Sequence, residues 1–130
     1  MIGIIISGHG KFASGLESGL EMVIGKNKNV KSLDFDGIDI QFYSQKLESL
    51  SQSMVDEYDL LAIVTDIRGG SPFNIAAKLG LNRDGILVFS GANFQLIYEL
   101  LSLDPKSEDF VNLALDKARR EIDYLDTSSL

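Results

Sequence analysis

The chain contains a single histidine, His9, which lies between Gly8 and Gly10 where the apolar run Ile2–Ile6 is broken. Glycines on both sides allow a backbone or a ligand to approach the imidazole closely. When a carboxylate holds one ring nitrogen, it fixes the tautomer and leaves the other nitrogen free as a nucleophile. An average lone histidine is more often a hydrogen-bonded or solvated loop residue. The position of His9, at the turn from a predicted strand to a predicted helix, favours the nucleophilic interpretation.

Asp66 is the candidate carboxylate, because it follows another apolar strand pattern, Leu60–Val64. Its simplest role would be that of a turn or helix-capping aspartate. Another role is that of a magnesium ligand, with Asp34 and Asp36 completing an acidic cluster. We interpret Asp34 and Asp36 as solvated turn residues, since a pair of one carboxylate and one histidine needs no metal. Asp66 is therefore predicted to pair with His9.

A third chemical feature is the string formed by Gly69, Gly70, Ser71 and Pro72, which opens a helical pattern. Two glycines before a helix make an anion-accepting loop, and the serine hydroxyl can donate a hydrogen bond to a phosphate. Serine followed by proline also predicts that Ser71 is the N-cap and Pro72 the first helical residue. Alone this turn is weak evidence, since most such turns only start a helix. Neither a Walker string nor a dinucleotide fingerprint is present, so nucleotide binding has no support.

The elements that must position these residues alternate along the chain. Short apolar runs predict strands at Ile2–Ile6, Leu60–Val64 and Ile86–Phe89, and the segment Val30–Phe35 predicts a weaker second strand. Apolar residues at helical spacing follow each run, and the residues predicted to end or cap helices are Gly25, Gly80, Asn93 and Ser107. Strands that alternate with helices indicate an α/β fold with a parallel sheet.

We predict one domain over residues 1–130, with a four-stranded sheet in the order 2-1-3-4, helices on both faces and a frayed tail at about 126–130. In this order the first and third strands are neighbours. Function in such sheets lies beyond the carboxyl ends of the strands, where the strand order reverses. His9 and Asp66 are therefore expected at one edge of the sheet.

The composition excludes several classes of protein and partner. The 130 residues are 45 % hydrophobic, enough for a core without disulfides, and the absence of cysteine excludes a cysteine nucleophile and an iron–sulfur cluster. Lys and Arg number 12 against 19 Asp and Glu, which gives a net charge of −7. Nucleic acid and anionic membranes are therefore poor partners, and a basic protein is a better one. No signal peptide or membrane helix is evident in the sequence, so we expect a cytoplasmic protein.

Three segments, IIISGHGKFASGL, AIVTDIRGGSPFN and SGANFQLIYELL, resemble in order and spacing the enzyme IIA domain of the mannose-type sugar phosphotransferase system. The resemblance runs from residue 2 to about residue 122. The Gly-Gly-Ser-Pro-Phe-Asn string after a strand-ending aspartate is specific to that family. The phosphocarrier subunit of dihydroxyacetone kinase has a related fold and a phosphohistidine after its first strand, but it lacks the Ser-Pro-Phe-Asn part.

The resemblance implies that His9 takes a phosphoryl group from the carrier protein HPr and passes it to the IIB component. IIB then phosphorylates sugar as it enters through the membrane components IIC and IID. Asp66 matches the residue that orients and charges the imidazole, and Ser71, with the backbone around Gly69 and Gly70, matches the phosphate-stabilising loop. The resemblance further implies a homodimer, which in some relatives exchanges a short antiparallel edge strand. Neither a cofactor nor a metal is required.

Three positions depart from the family pattern. Gly8 stands where a serine or threonine commonly precedes the histidine, so a hydroxyl contact is missing. Arg68 replaces a large apolar or aromatic residue, and Gln95 replaces a proline. None of them removes the histidine–aspartate pair, and we expect them to affect sugar specificity and the partner surface. The candidate partner contacts are Arg68 and Asn93, and for Arg68 a solvated loop position and a contact with the phosphoryl group are the alternatives.

Other functions are compatible with a histidine at this position. A phosphohydrolase of the phosphoglycerate-mutase type needs an arginine beside the histidine and a second histidine, whereas this chain has Gly8 there and one histidine only. A regulatory module that reports sugar supply, or a module of the dihydroxyacetone-kinase type, would use the same His9. Partner identity separates these last two from transport.

Overall fold

The structure is a computed structural model that describes residues 1–129. The strands are β1 (Ile2–His9), β2 (Val30–Phe35), β3 (Leu60–Thr65) and β4 (Ile86–Phe89). The helices are α1 (Phe12–Ile24), α2 (Ile40–Glu57), α3 (Ser71–Asn82), α4 (Phe94–Ser102) and α5 (Phe110–Arg120), followed by a 3-10 turn at Thr127–Ser129. The chain groups into two compact units, Met1–Ala92 and a second unit that begins at Asn93. Whether residues 1–130 act as one domain stays a prediction.

The first unit contains a parallel four-stranded sheet in the order β2-β1-β3-β4, which confirms the predicted fold. The central strand β1 is longer than predicted. Gly8 pairs with Asp34 and His9 with Phe35 of β2, so the ladder continues three residues beyond Ile6. His9 is therefore the last residue of a strand and is held by the sheet, whereas the sequence placed it in a turn.

Helices cover both faces of this sheet. Successive residues of a strand point to opposite faces, and β1 demonstrates the division. The Ser7 hydroxyl meets Tyr43 of α2, whereas a side chain at Gly8 would meet Phe12 of α1. Side chains of β1, β2 and β3 form one core with α2 and α3, and its buried members include Ile5, Phe35, Leu47, Ile63 and Ala76. A central strand buried on both faces explains the uninterrupted apolar run at the start of the chain.

Some of the helix ends lie where the sequence predicts them, and others do not. Gly25, at φ +83°, ends α1 as predicted, because glycine adopts this backbone without steric cost. The N-cap of α3 is Gly70 and Ser71 is its first residue, so the predicted serine cap is wrong. α3 also continues past Gly80 to Asn82. A Cβ at Gly80 would lie 3.1 Å from Val88 Cγ2, so this glycine provides close packing against β4 and does not end the helix.

The second unit contains α4 and α5. Asn93 caps α4 as predicted, since its Oδ1 accepts a hydrogen bond from the Leu96 N–H at 2.8 Å. The predicted cap at Ser107 is wrong, because Ser107 lies in a turn that receives the Phe110 N–H, and Asp109 precedes the helix. Buried Glu99 accepts a hydrogen bond from Gln95 at 2.8 Å and forms an ion pair with Lys117 at 3.5 Å. Gln95, one of the departures from the family pattern, thus supports a buried carboxylate.

Two predictions from the sequence concern the carboxyl-terminal part of the chain. Of the predicted frayed tail, Thr127–Ser129 forms an exposed 3-10 turn, and residue 130 lies outside the described residues. Residues 1–129 form no antiparallel fifth strand within the chain, and strand exchange in a dimer stays a prediction. In that same range, none of the helices is long and apolar enough to cross a membrane.

Candidate active site

His9 and Asp66 come together at the carboxyl edge of the sheet, because β1 and β3 are neighbours and both end there. One carboxylate oxygen of Asp66, Oδ2, accepts the His9 backbone N–H at 2.9 Å and lies 2.8 Å from ring atom Nδ1. The other oxygen, Oδ1, accepts the Ile67 N–H at 2.9 Å. The histidine side chain is 47 % exposed and the aspartate side chain only 13 %. The imidazole thus faces solvent while its orienting carboxylate is shielded.

The electrostatics of the pair determine which ring nitrogen can react. Burial alone raises the pKa of Asp66, but the hydrogen bonds from His9 and Ile67 outweigh it and hold that pKa below its ordinary value. Asp66 is therefore ionised at neutral pH and can only accept. In the neutral ring the proton then lies on Nδ1, and Nε2 carries the lone pair.

Next to Nε2 lies the start of α3. A Cβ at Gly70 would be 2.7 Å from His9 Cε1 and 3.5 Å from Nε2, so only a glycine lets the ring lie this close to the helix. Gly70 is the N-cap of α3, and no side chain caps this end of the helix. Gly69 turns the preceding loop at φ +86°, and Asn74 donates to its carbonyl at 3.0 Å. Free N–H groups at a helix start attract anions.

The start of α1, by contrast, already holds a carboxylate. Asp34 of β2 accepts the Ser14 N–H at 2.9 Å and the Ser14 hydroxyl at 2.6 Å. Asp34 is exposed, as the sequence predicted, but it lies in β2 and not in a turn, so that part of the interpretation is wrong. Asp36 does lie in a turn, where it accepts the Ile38 N–H at 2.9 Å. Within residues 1–129 no group of three acidic or histidine side chains is arranged to hold a metal ion.

Two aromatic residues that the sequence did not assign to the site, Phe35 and Tyr43, lie beside the imidazole. The rings of Phe35 and His9 are 5.8 Å apart between centroids in an edge-type arrangement, and Tyr43 packs on Phe35 at 4.8 Å. The Tyr43 hydroxyl is 2.5 Å from Ser7 Oγ, which donates to the Leu33 carbonyl at 2.7 Å. Burial raises the pKa of Tyr43 to about 12, so its hydroxyl stays protonated, and it donates to Ser7 because the single Ser7 proton goes to the Leu33 carbonyl. A serine inside an apolar strand was the one sequence feature that could have revealed this network.

The two candidate partner contacts have different surroundings. Arg68 is exposed, and its guanidinium lies 5.5 Å from the centroid of the Phe73 ring. Within residues 1–129 no ion pair joins it to a carboxylate. Asn93 belongs to the second unit, where Nδ2 donates to the Ala118 carbonyl at 3.0 Å while Oδ1 caps α4. Contact of either residue with a partner stays a prediction.

The fold and this pair define an α/β protein that presents a carboxylate-oriented histidine at the carboxyl edge of a parallel sheet. Residues 3–115 match the family EIIA-man, described as the fructose IIA component of the phosphotransferase system (PTS). The chain belongs to this family, whose members are EIIA components of the mannose type and act in phosphoryl transfer for sugar transport. The resemblance read from the sequence is thereby confirmed.

Similar proteins carry the same description. The fructose-specific EIIA component of Bacillus subtilis (strain 168) is 34 % identical over 104 residues, which cover 79 % of this chain and 70 % of that protein. The mannose-specific EIIAB component of Escherichia coli (strain K12) is 30 % identical over 128 residues, which are 95 % of this chain and 39 % of that protein. This chain thus corresponds to about two fifths of the E. coli relative. A crystal structure of an EIIA component from Streptococcus agalactiae superposes with a TM-score of 0.81 at 28 % identity and covers 100 % of both chains.

Proposed function

We propose that His9 accepts a phosphoryl group from the phosphohistidine of HPr and passes it to a IIB component during sugar uptake. The observation that carries the proposal is the Asp66 carboxylate on Nδ1, which leaves Nε2 as an unprotonated nucleophile beside the uncapped start of α3. Membership of the EIIA family supports it independently.

In the proposed step the Nε2 lone pair attacks the phosphorus atom of the donor. A new P–N bond forms to His9 as the P–N bond of the donor breaks, and the donor imidazole leaves with that electron pair. The His9 ring becomes cationic while Nδ1 keeps its proton, and the Asp66 charge, 2.8 Å away, stabilises the cation. One P–N bond replaces another, so transfer is close to thermoneutral. Alignment and charge stabilisation are then the main contributions of the protein.

The phosphoryl oxygens are proposed to lie at the start of α3. Gly69 and Ser71 offer backbone N–H groups there, and Ser71 also offers a hydroxyl, whereas the Gly70 N–H already donates to the Ile67 carbonyl at 3.4 Å. Two contacts favour α3 over α1 as the anion site. Gly70 lies against the ring atoms next to Nε2, and the start of α1 is already occupied by the carboxylate of Asp34.

Phosphorylation by HPr tests the proposal directly. Wild-type protein incubated with phosphorylated HPr should gain one acid-labile phosphoryl group, measured by intact-mass spectrometry before and after mild acid. His9→Ala should gain none while its circular dichroism spectrum stays that of the wild type. An acid-labile phosphoryl group on His9→Ala would overturn the proposal.

Onward transfer distinguishes transport from a regulatory role. Purified phospho-protein mixed with a IIB component should lose its phosphoryl group to IIB. Retention of the group in the presence of IIB would favour a regulatory or dihydroxyacetone-kinase-type module. The proposal also includes a cytoplasmic homodimer with IIC and IID as indirect partners, and sedimentation equilibrium measures the oligomeric state.

A further inference from the structure

Gly8 lies in β1 between the support network of Ser7 and the acceptor His9, and its missing side chain leaves a space that two other side chains fill. A Cβ at position 8 would lie 2.8 Å from Asp66 Cγ and 2.9 Å from Asp66 Oδ2. It would also lie 2.9 Å from Phe12 Cδ1. Real Cβ atoms essentially never come within 3.0 Å of another heavy atom, so a side chain at this position would displace at least one of these groups.

The two neighbours differ in how easily they can move. Phe12 is the first residue of α1, and its side chain is partly exposed, so the ring can turn toward solvent. The Asp66 carboxylate cannot move freely. Its Oδ2 receives both hydrogen bonds from His9, at 2.9 and 2.8 Å, and its Oδ1 receives the Ile67 N–H at 2.9 Å. A shift of a few tenths of an ångström away from residue 8 therefore strains or breaks a bond to His9.

We infer that Gly8 is a positioning residue that acts through Asp66: the missing side chain lets the carboxylate reach His9 closely enough to hold its backbone and its ring with one oxygen. The inference rests on the proposed function in so far as the held ring is the phosphoryl acceptor. At this position the sequence suggested only a lost hydroxyl contact. The space of that side chain is used here by the Asp66 carboxylate and the Phe12 ring.

The test compares Gly8→Ala with Gly3→Ala. Both glycines lie in β1, and a Cβ at Gly3 would also clash, 2.7 Å from Tyr58 Cδ2. Gly3→Ala therefore introduces a comparable clash in the same strand but not beside His9, and it serves as the control. The readout is the tautomer of the single histidine, from long-range ¹H–¹⁵N NMR spectra without any phosphoryl donor. Wild type and Gly3→Ala should show the proton on Nδ1, and Gly8→Ala should populate the form with the proton on Nε2. Loading from phosphorylated HPr should fall roughly ten- to a hundredfold in Gly8→Ala only.

A double-mutant cycle with Asp66→Ala keeps the inference testable even if Gly8→Ala folds poorly. Without the carboxylate the main clash is gone, so Gly8→Ala added to Asp66→Ala should fold and should change neither the tautomer nor the loading rate further. Equal effects of Gly8→Ala in both backgrounds, or an unchanged tautomer in the folded single variant, would overturn the inference. Because the tautomer is measured without HPr, a failure of wild-type phosphorylation would contradict the proposed function and leave this result standing.

Discussion

One oxygen atom of Asp66, Oδ2, makes both of the contacts that orient His9. Asp66 Oδ2 accepts two hydrogen bonds from the same residue, one from the backbone and one from the ring of His9. The backbone bond keeps the carboxylate in place whatever the ring does. In the proposed phosphoryl transfer the ring can therefore change charge without losing its orienting group.

Replacing Asp66 by asparagine should slow loading from phosphorylated HPr by about a hundredfold. An amide oxygen in the place of Oδ2 can still accept the bonds from His9, but it has no charge to stabilise the cationic ring. Single-turnover quench kinetics with intact-mass detection measure the rate, and a near-native NMR spectrum verifies the fold. A loading rate within a factor of two of wild type would contradict an electrostatic role for Asp66.

The same variant should reveal a pH dependence of stability. Because the pKa of Asp66 is lowered in the folded state, its ionised form stabilises that state above roughly pH 4, the ordinary range of an aspartate. This contribution is lost as the pH falls through the lowered pKa. The difference in unfolding free energy between wild type and Asp66→Asn, from urea titrations, should therefore be larger near pH 6 than near pH 3. A constant difference would argue against the lowered pKa.

Arg68 is expected to act on a partner and not on the phosphoryl group. Its guanidinium lies over the Phe73 ring, and no hydrogen bond joins it to His9 or Asp66. Arg68→Ala should leave loading from HPr unchanged and lower onward transfer to IIB several-fold, more at low salt than at high salt. Arg68→Lys, which keeps the charge, is the matched control. Wild-type rates in both half-reactions would identify Arg68 as a solvated loop residue only.

At the scale of elements, two helices begin near the edge where β1 and β3 end, and they differ in what their first turns hold. α1 receives the Asp34 carboxylate from β2, and α3 receives no capping side chain. A carboxylate already present compensates the positive end of the helix dipole. The fold therefore stabilises α1 internally and leaves α3 available to a phosphate.

Asp34→Ala should lower the unfolding free energy by about 1 kcal/mol, the typical cost of losing a helix-capping side chain. The variant removes the acceptor of the Ser14 N–H and of its hydroxyl. Asp39→Ala removes the corresponding cap of α2, where Asp39 accepts the Phe42 N–H at 3.0 Å, and should cost a similar amount. Urea unfolding monitored by circular dichroism measures both. No loss of stability in Asp34→Ala would show that this contact is not a functioning cap.

The net charge belongs to the whole molecule, and its effect can be measured as a change in the rate of association with a partner. A charge of −7 on 130 residues creates a field that attracts a basic partner and repels an acidic one. Such attraction raises the association rate more than it changes the bound complex. If HPr is the donor, as proposed, the charge bears on how HPr finds the protein and not on the transfer step itself.

The second-order rate constant for loading from phosphorylated HPr should fall as sodium chloride rises from about 0.05 to 0.5 M, since the Debye length shortens over this range. The spontaneous hydrolysis of phospho-His9 is unimolecular and serves as the control, because it should change little with salt. Stopped-flow or quench measurements at several salt concentrations give both rates. A salt-independent association rate would rule out electrostatic steering by this surface.

The sequence by itself determined the order of elements, the parallel sheet and the edge at which His9 and Asp66 meet. These follow from local periodicity and from the rules for parallel strand connections, which depend on residue types and not on atomic positions. The Gly-Gly-Ser-Pro string likewise marked a helix start. Its N-cap differed by one residue, since serine and glycine both suit that position.

Only the tertiary structure decided how side chains far apart in the sequence share space. Asp34 of β2 accepts a hydrogen bond from Ser14 of α1, and Tyr43 of α2 is hydrogen-bonded to Ser7 of β1. The carboxylate of Asp66 fills the space beside Gly8. Each contact depends on strand register and helix orientation to within a fraction of an ångström. Local patterns carry no such information, because a hydrophobic period defines which face is buried and not which atoms meet on it.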